Sequence, residues 1–188
     1  MGGVKHTYML DGTKVLKEVW GSNTLIPLYD NEDSVCGIVY NGEPYYFVKN
    51  LQGDVIAIVD EDVETVAKYS YDAWGVPEVK SDTSEIGIAT INPYRYRGYY
   101  YDSETGFYYL KSRYYDPAIC RFISADDPSY LGAGETTQGL NLFAYCLNDP
   151  VNYSDSDGQW PSWATKLVVA VAAVSYTHLR AHETDSYL

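Results

Sequence analysis

Between Tyr8 and Lys80 short apolar runs alternate with turn-forming residues, at a spacing too tight for helices of ordinary length. The runs are Val15 to Trp20, Leu25 to Tyr29, Val35 to Tyr40, Tyr45 to Val48, Val55 to Val59 and Val66 to Tyr71. Between them stand Asp11-Gly12, Gly21-Ser22-Asn23, Asp30 to Asp33, Asn41-Gly42, Gly53-Asp54 and Asp60-Glu61-Asp62, each a place where a chain reverses at low cost. Asn41-Gly42 is the sharpest of these, because both residues tolerate the positive φ that a two-residue hairpin of the favoured hand requires. The expectation is an all-β chain of antiparallel strands. Tyrosine agrees with it: 21 tyrosines stand against 4 phenylalanines and 4 tryptophans. Rings favour strands and stack across neighbouring ones, while each hydroxyl still needs a partner or water.

Four Tyr-Asp pairs punctuate the chain, at Tyr29-Asp30, Tyr71-Asp72, Tyr101-Asp102 and Tyr115-Asp116. In each, the ring ends a strand and the carboxylate is placed to accept the backbone N–H two residues on. Recurrence with glycine nearby, as in Tyr71-Asp72-Ala73-Trp74-Gly75, points to a repeat architecture in which each unit buries its face on the next. Ser81 to Gly87 reads as a loop. The segment from Asn92 to Asp102, the turn Ser103 to Gly106 and the run Phe107 to Tyr115 read as a hairpin. Alternation along Phe107 to Tyr115 puts Arg113 on one face with Tyr109 and Tyr115, where it is expected to stack. After Asp126 periodicity fades, and Asn141 to Cys146 reads as a single helical turn. Ser162 is placed to cap a short C-terminal helix through Trp163 and the apolar run Leu167 to Val174, which is too short to span a bilayer.

A formal net charge of −13 argues against a nucleic-acid partner for this segment, since such partners need clustered Lys and Arg. Cys36, Cys120 and Cys146 are odd in number and widely spaced, so they read as three separate thiols and not as a disulfide framework or metal knuckle. No cofactor or metal is expected. Met1-Gly2-Gly3-Val4-Lys5 is not followed by an apolar run, so an export signal, if there is one, is expected upstream. Residues 175–188 resemble a translated sequencing-adapter tail, and His178 and His182 within it are not read as metal ligands.

From Tyr71 to Gly75 and from Asn92 to Gly158 the chain resembles the RHS repeat-associated core domain and its preceding YD repeats. The motifs that carry the resemblance are Arg97-Gly98-Tyr99-Tyr100-Tyr101-Asp102 with Thr105-Gly106, Ser112-Arg113-Tyr114-Tyr115-Asp116-Pro117, and Arg121-Phe122-Ile123-Ser124-Ala125-Asp126. Asn141-Leu142-Phe143-Ala144-Tyr145 and Asn148-Asp149-Pro150-Val151-Asn152 extend it. The resemblance covers roughly residues 8–160, and its fold is a long YD-repeat antiparallel β-sheet spiralling into a hollow shell or cocoon closed by a C-terminal core plug. On this basis residues 1–80 are YD repeats, 81–159 the core, and 160–174 the start of a variable toxin region. The implied protein is secreted or cell-surface associated, encloses its own C-terminal toxin cargo, acts in interbacterial competition and has a cognate immunity protein as a further partner.

The resemblance also implies a self-cleaving aspartyl-type site formed by Arg113, Asp126 and Asp155, with the scissile bond at Gln159-Trp160. Two carboxyl groups sharing a proton can activate water and protonate a leaving amide. The family pattern has Pro where Ser156 stands and an apolar residue where Gln159 stands, and Asp126-Asp127 offers two neighbouring carboxylates for one role. Structural readings stay open beside the catalytic one: Arg113 stacked on its own strand, Asp126 and Asp155 as turn carboxylates. The alternative function is a cell-surface module that binds glycans through Trp20 or Trp74 without chemistry.

Overall fold

The computed structural model describes residues 4–131 and 140–159. Eight strands form one sheet: β1 (His6–Asp11), β2 (Lys14–Trp20), β3 (Asn23–Tyr29), β4 (Val35–Tyr40), β5 (Glu43–Lys49), β6 (Val55–Val59), β7 (Thr65–Tyr71) and β8 (Pro77–Asp82). Each pairs antiparallel with the next. A single helical turn, α1 (Ile88–Ile91), leads to a second antiparallel sheet of β9 (Tyr100–Asp102), β10 (Phe107–Tyr109), β11 (Tyr114–Asp116) and β12 (Arg121–Phe122).

One loop design recurs four times in the large sheet, at 30–34, 50–54, 60–64 and 72–76. Its first residue, Asp30, Asn50, Asp60 or Asp72, exchanges backbone bonds within the loop: its N–H donates to the fifth carbonyl and its carbonyl accepts from the fourth N–H. The side-chain Oδ1 of the same residue accepts the fifth N–H at 2.9 Å each time. The fourth residue is left-handed in all four, at Asp33, Gly53, Val63 and Gly75. A short polar side chain that mimics a backbone acceptor is what this closure needs, which is why Asp and Asn lead it. Asp102 and Asp116, in the other two Tyr-Asp pairs, accept the N–H two residues on, from Glu104 at 3.0 Å and Ala118 at 2.9 Å. The Asn41-Gly42 hairpin has both residues at positive φ, and Tyr40 pairs with Glu43 across it.

Two cores result. Leu25, Ile38, Val55, Ile58, Ala67 and Tyr69 on one face of the large sheet bury Ile88 and Ala89 of α1 together with Tyr94. The second is mostly aromatic: Tyr96, Tyr99, Tyr108, Tyr115, Phe122 and Tyr145, with Leu110 and Cys146. The 72–76 loop joins them. Its carbonyls at Ala73, Trp74 and Gly75 accept the hydroxyls of Tyr96, Tyr115 and Tyr108 at 3.0, 2.8 and 2.8 Å. The rings fill the core while the hydroxyls satisfy loop carbonyls that would otherwise be buried without partners.

Three expectations change. Phe107 to Tyr115 is not one strand: β10 ends at Tyr109, and the chain turns through Lys111 at φ 64, with Leu110 N–H donating to the Arg113 carbonyl at 2.9 Å. The alternating pattern hid the turn because Leu110 and Arg113 are both buried while Lys111 and Ser112 are exposed. Asn141 to Cys146 is not helical; a turn closed by Ala144 N–H on the Asn141 carbonyl precedes a 3-10 turn at Cys146–Asn148, all three of whose residues have positive φ. Ser81 belongs to β8, paired with Lys68, and not to the loop that follows. The helix expected from Ser162 lies outside the described residues.

Gly75 marks the junction of the two cores. Its φ is 91°, and a Cβ there would lie 2.6 Å from the Tyr96 ring. Gly75→Ala is expected to cost about 2–4 kcal/mol, from left-handed strain and overpacking together. Gly12→Ala, with φ 59° and open space around it, should cost only about 1 kcal/mol. Urea unfolding followed by tryptophan fluorescence measures both, and equal losses would contradict the junction role.

Candidate active site

The turn between β10 and β11 delivers Arg113 to the interior, where its side chain is 6% exposed. Its guanidinium lies flat over Phe122 of β12, 3.6 Å from the ring centroid. The expected stacking on Tyr109 and Tyr115 does not occur, because the turn through Lys111 separates Tyr109 in β10 from Tyr115 in β11 and leaves Arg113 outside both strands. Tyr109 packs on Tyr114 and Tyr115 on Tyr145. The planar fork of Arg suits the position, since it makes several directed bonds at once. Nη1 donates to the Leu142 carbonyl at 3.0 Å, Nη2 to the Gln159 carbonyl at 2.9 Å, and Nε to the Gly158 carbonyl.

Both candidate carboxylates meet this group. Asp126 Oδ2 is 2.9 Å from Nη2 and Asp155 Oδ2 is 3.7 Å from it. The neighbouring Asp127 is used differently: its Oδ1 accepts Ser129 N–H at 2.8 Å and caps the 3-10 turn Pro128–Tyr130. Of the two adjacent carboxylates, Asp126 is therefore the one at the site. Asp155 is 1% exposed. Its Oδ1 accepts Gly158 N–H at 2.8 Å and Gln159 N–H at 3.1 Å, whereas its buried Oδ2 has no hydrogen-bond donor. Burial pushes the Asp155 carboxyl up to about 6; the neighbouring Asp157 carboxyl acts in the same direction and Arg113 opposes it. Burial likewise lowers the Arg113 pKa, against the attraction of Asp126, Asp155 and Asp157.

Two further residues build the site and were not singled out from the sequence. Ser112 Oγ lies 2.7 Å from both the Asp157 and Gly158 carbonyls, and its N–H donates to the Asp157 carbonyl at 3.2 Å. Gly158, at φ 74°, passes so close to the turn that a Cβ would lie 2.6 Å from the Leu110 carbonyl oxygen. A glycine three residues after Asp155 was the available signal for that close approach. The two form a clamp that holds Asp155 to Gln159 against the β10–β11 turn. A cleft of about 320 Å³ opens beside it, lined by Ser112, Arg113, Asp126, Asp127, Ser129 and Gln159. Trp160 lies outside the described residues.

The tryptophans named for glycan binding are part-buried packing residues. Trp20 stacks on His6 with 5.2 Å between centroids and packs against the first core, and Trp74 packs against the second. Among the described residues no helix is long and apolar enough to cross a membrane, and no three His, Cys, Asp or Glu side chains are grouped to hold a metal ion.

Residues 14–151 match the Teneurin YD-shell family. The chain belongs to that family. It is 42% identical over 153 residues to a tRNA3(Ser)-specific nuclease WapA of Bacillus spizizenii, covering 80% of this chain and 6% of that protein. It is 39% identical over 165 residues to the tRNA nuclease WapA of Bacillus subtilis, covering 85% and 7%. A chain in a crystal structure of TcdB2-TccC3-Cdc42 superposes with a TM-score of 0.62 at 24% identity, over 76% of this chain and 7% of that one. That likeness is one of fold. The RHS/YD-repeat resemblance and the all-β architecture are thereby shown, and this YD-shell segment spans only a small share of its relatives. Arg113 and Asp126 lie inside the matched YD-shell segment, and Asp155 just beyond its end.

The raised Asp155 pKa has a consequence for stability. A carboxyl group raised on folding adds stability that is fully present below its unfolded pKa, near 3.8, and lost as pH rises through about 6. Asp155→Asn imitates the neutral acid. Its melting temperature should match the parent's near pH 4 and exceed it at pH 7, the gap corresponding to at most about 3 kcal/mol. A constant gap across that range would contradict the raised pKa.

Proposed function

We propose that this chain is the C-terminal part of a YD-repeat shell that encloses and presents a toxin cargo, and that Arg113, Asp126 and Asp155 cut the chain after Gln159. The observation that carries the reading is the geometry at one guanidinium. Arg113 lies 2.9 Å from the Asp126 carboxylate and 3.7 Å from that of Asp155 and donates to the Gln159 carbonyl, so acid, base and carbonyl sit around one guanidinium. Cutting there would separate residues 81–159, the core plug, from a variable region beginning at Trp160.

The residues fit an acid–base hydrolysis. Asp126, ion-paired with Arg113 and lining the cleft, takes a proton from a water entering there. The water oxygen bonds to the Gln159 carbonyl carbon, and Arg113 Nη2 stabilises the negative charge that develops on the carbonyl oxygen. Asp155, buried in its acid form, gives its proton to the Trp160 nitrogen as the C–N bond breaks. The products are a Gln159 carboxylate and a Trp160 amine. Gly158 and Ser112 keep the peptide from drifting out of reach.

Support for the cargo comes from the relatives: two are named tRNA nucleases, and this shell segment is 6–7% of their length. A segment of that kind carries an activity located elsewhere in the protein. A secreted or cell-surface location, a role in interbacterial competition and a cognate immunity protein as partner belong to the same proposal.

Expressing the chain and reading its products by intact mass spectrometry tests the cut. A new N-terminus at Trp160 is expected in the parent, with the rate reduced about 10²-fold or more in Asp126→Asn and Asp155→Asn. Arg113→Lys should also be slow, since an ammonium cannot reproduce the fork. A parent chain that stays intact would overturn self-cleavage and leave the shell assignment standing.

A further inference from the structure

Gln159 N–H is shared. It donates to Asp155 Oδ1 at 3.1 Å and to Asp157 Oδ1 at 3.2 Å, so two carboxyl groups converge on one donor directly beside the proposed scissile bond. Gly158 N–H, at 2.8 Å, is the other donor to Asp155 Oδ1, and two backbone N–H groups do not neutralise two carboxylates. Arg113 does not make up the deficit: its closest carboxylate contact is to Asp126 at 2.9 Å, and Asp155 lies farther off at 3.7 Å. Three carboxyl groups against one guanidinium, with Asp155 buried, leave an arrangement that favours retaining a proton. Asp157 is held in place by its backbone, whose carbonyl accepts both the N–H and the Oγ–H of Ser112. Its side chain is exposed.

We propose that Asp157 is a positioning residue of this site: its carboxyl shares one proton with Asp155, keeps Asp155 in the acid form and sets the pH range in which the chain is cut. This rests on the self-cleavage reading for its consequence, but not for its chemistry. The other titratable groups packed around Asp155 do not compete for the role. Tyr99, whose hydroxyl donates to the Asp155 carbonyl at 2.7 Å, and Tyr145 beside it are pushed far up by burial, and Cys146 is pushed up to about 12. All three stay neutral where Asp155 titrates. Arg113 stays charged, and Asp126 is engaged with it. Burial is the main cause of the Asp155 carboxyl being raised to about 6, and among the described residues Asp157 is the neighbouring group that acts in the same direction. The acid would be available below that pH and lost above it.

The test has two arms, both using the full 188-residue chain. In the first, the Asp155 side-chain carboxyl is titrated by ¹³C NMR in the parent, in Asp157→Asn and in Asp157→Ser. Both variants alter an exposed side chain and leave the Ser112 bonds to the backbone intact. The midpoint of Asp155 is expected to fall by about one pH unit or more in both. An unmoved midpoint in both overturns the proposal, whether or not any chain is cut. In the second arm, the pH–rate profile of Trp160 N-terminus formation is compared. The alkaline limb should move to lower pH together with the Asp155 midpoint, and a midpoint lower by about one pH unit should slow the cut at pH 7 about tenfold. A rate profile unchanged while the midpoint moves overturns the regulatory half of the proposal. A lowered midpoint in a chain that is never cut, even with Asp155 in its acid form, overturns self-cleavage alone.

Discussion

Three tyrosine hydroxyls bonded to three consecutive carbonyls hold the two parts of this chain together. A loop that turns a strand must leave carbonyls outside the ladder, and when another sheet is packed on it those carbonyls lose water. At Ala73, Trp74 and Gly75 the loss is repaired by Tyr96, Tyr115 and Tyr108. Phenylalanine would fill the same volume and leave the carbonyls unpaired, at about 1–3 kcal/mol each. The same device works within the large sheet, where Tyr29 donates to the Val15 carbonyl and Tyr71 to the Val55 carbonyl at 2.7 Å. The excess of tyrosine over phenylalanine is therefore a consequence of how many loop and edge carbonyls the fold covers with rings.

Arg113 applies the same logic with a charge. Its donors collect carbonyls from Leu142, Gly158 and Gln159, which are separated by up to 17 positions in sequence, and its charge is met by Asp126. Removing such a buried cation would leave several acceptors and a carboxylate unpaired, so the group is structural whatever chemistry it supports. That double use explains why the structural and catalytic readings could not be separated from the sequence. The bonds that would hold the C-terminal segment in place are also the ones that would polarise the Gln159 carbonyl.

The large sheet was legible because local rules determine it. Each strand run ends at a residue pair whose turn chemistry is short-range, and the four repeated loops need only an Asp or Asn at the first position and a residue able to reach positive φ at the fourth. Val63 shows the limit, since nothing in a valine announces φ 63°. The carboxylates and Arg113 were legible through motif resemblance and were found together. What was missed depends on contacts distant in sequence. The break at Lys111 and the clamp by Ser112 exist because the Asp157 to Gln159 segment lies against that turn, 45 residues or more away. Periodicity within a nine-residue run carries no trace of that neighbour. Asp157 stands two residues after Asp155 in the sequence, but their partnership appears only when the N–H of Gln159 is seen to serve both.

These dependencies order the events that can occur at the site. Arg113 meets Asp126 beside the paired β11 and β12, and it meets Gln159 where Gly158 lies against the Leu110 carbonyl. Asp155 acquires its raised pKa through burial, which needs the Tyr99 and Tyr145 rings already in place. In the unfolded chain the same aspartate is an ordinary exposed carboxylate, ionised at neutral pH and far from any guanidinium. The acid, the cation and the carbonyl are thus brought together only in the folded chain. A cut after Gln159 would for that reason follow assembly of the plug and not precede it, with no separate device needed to enforce the order.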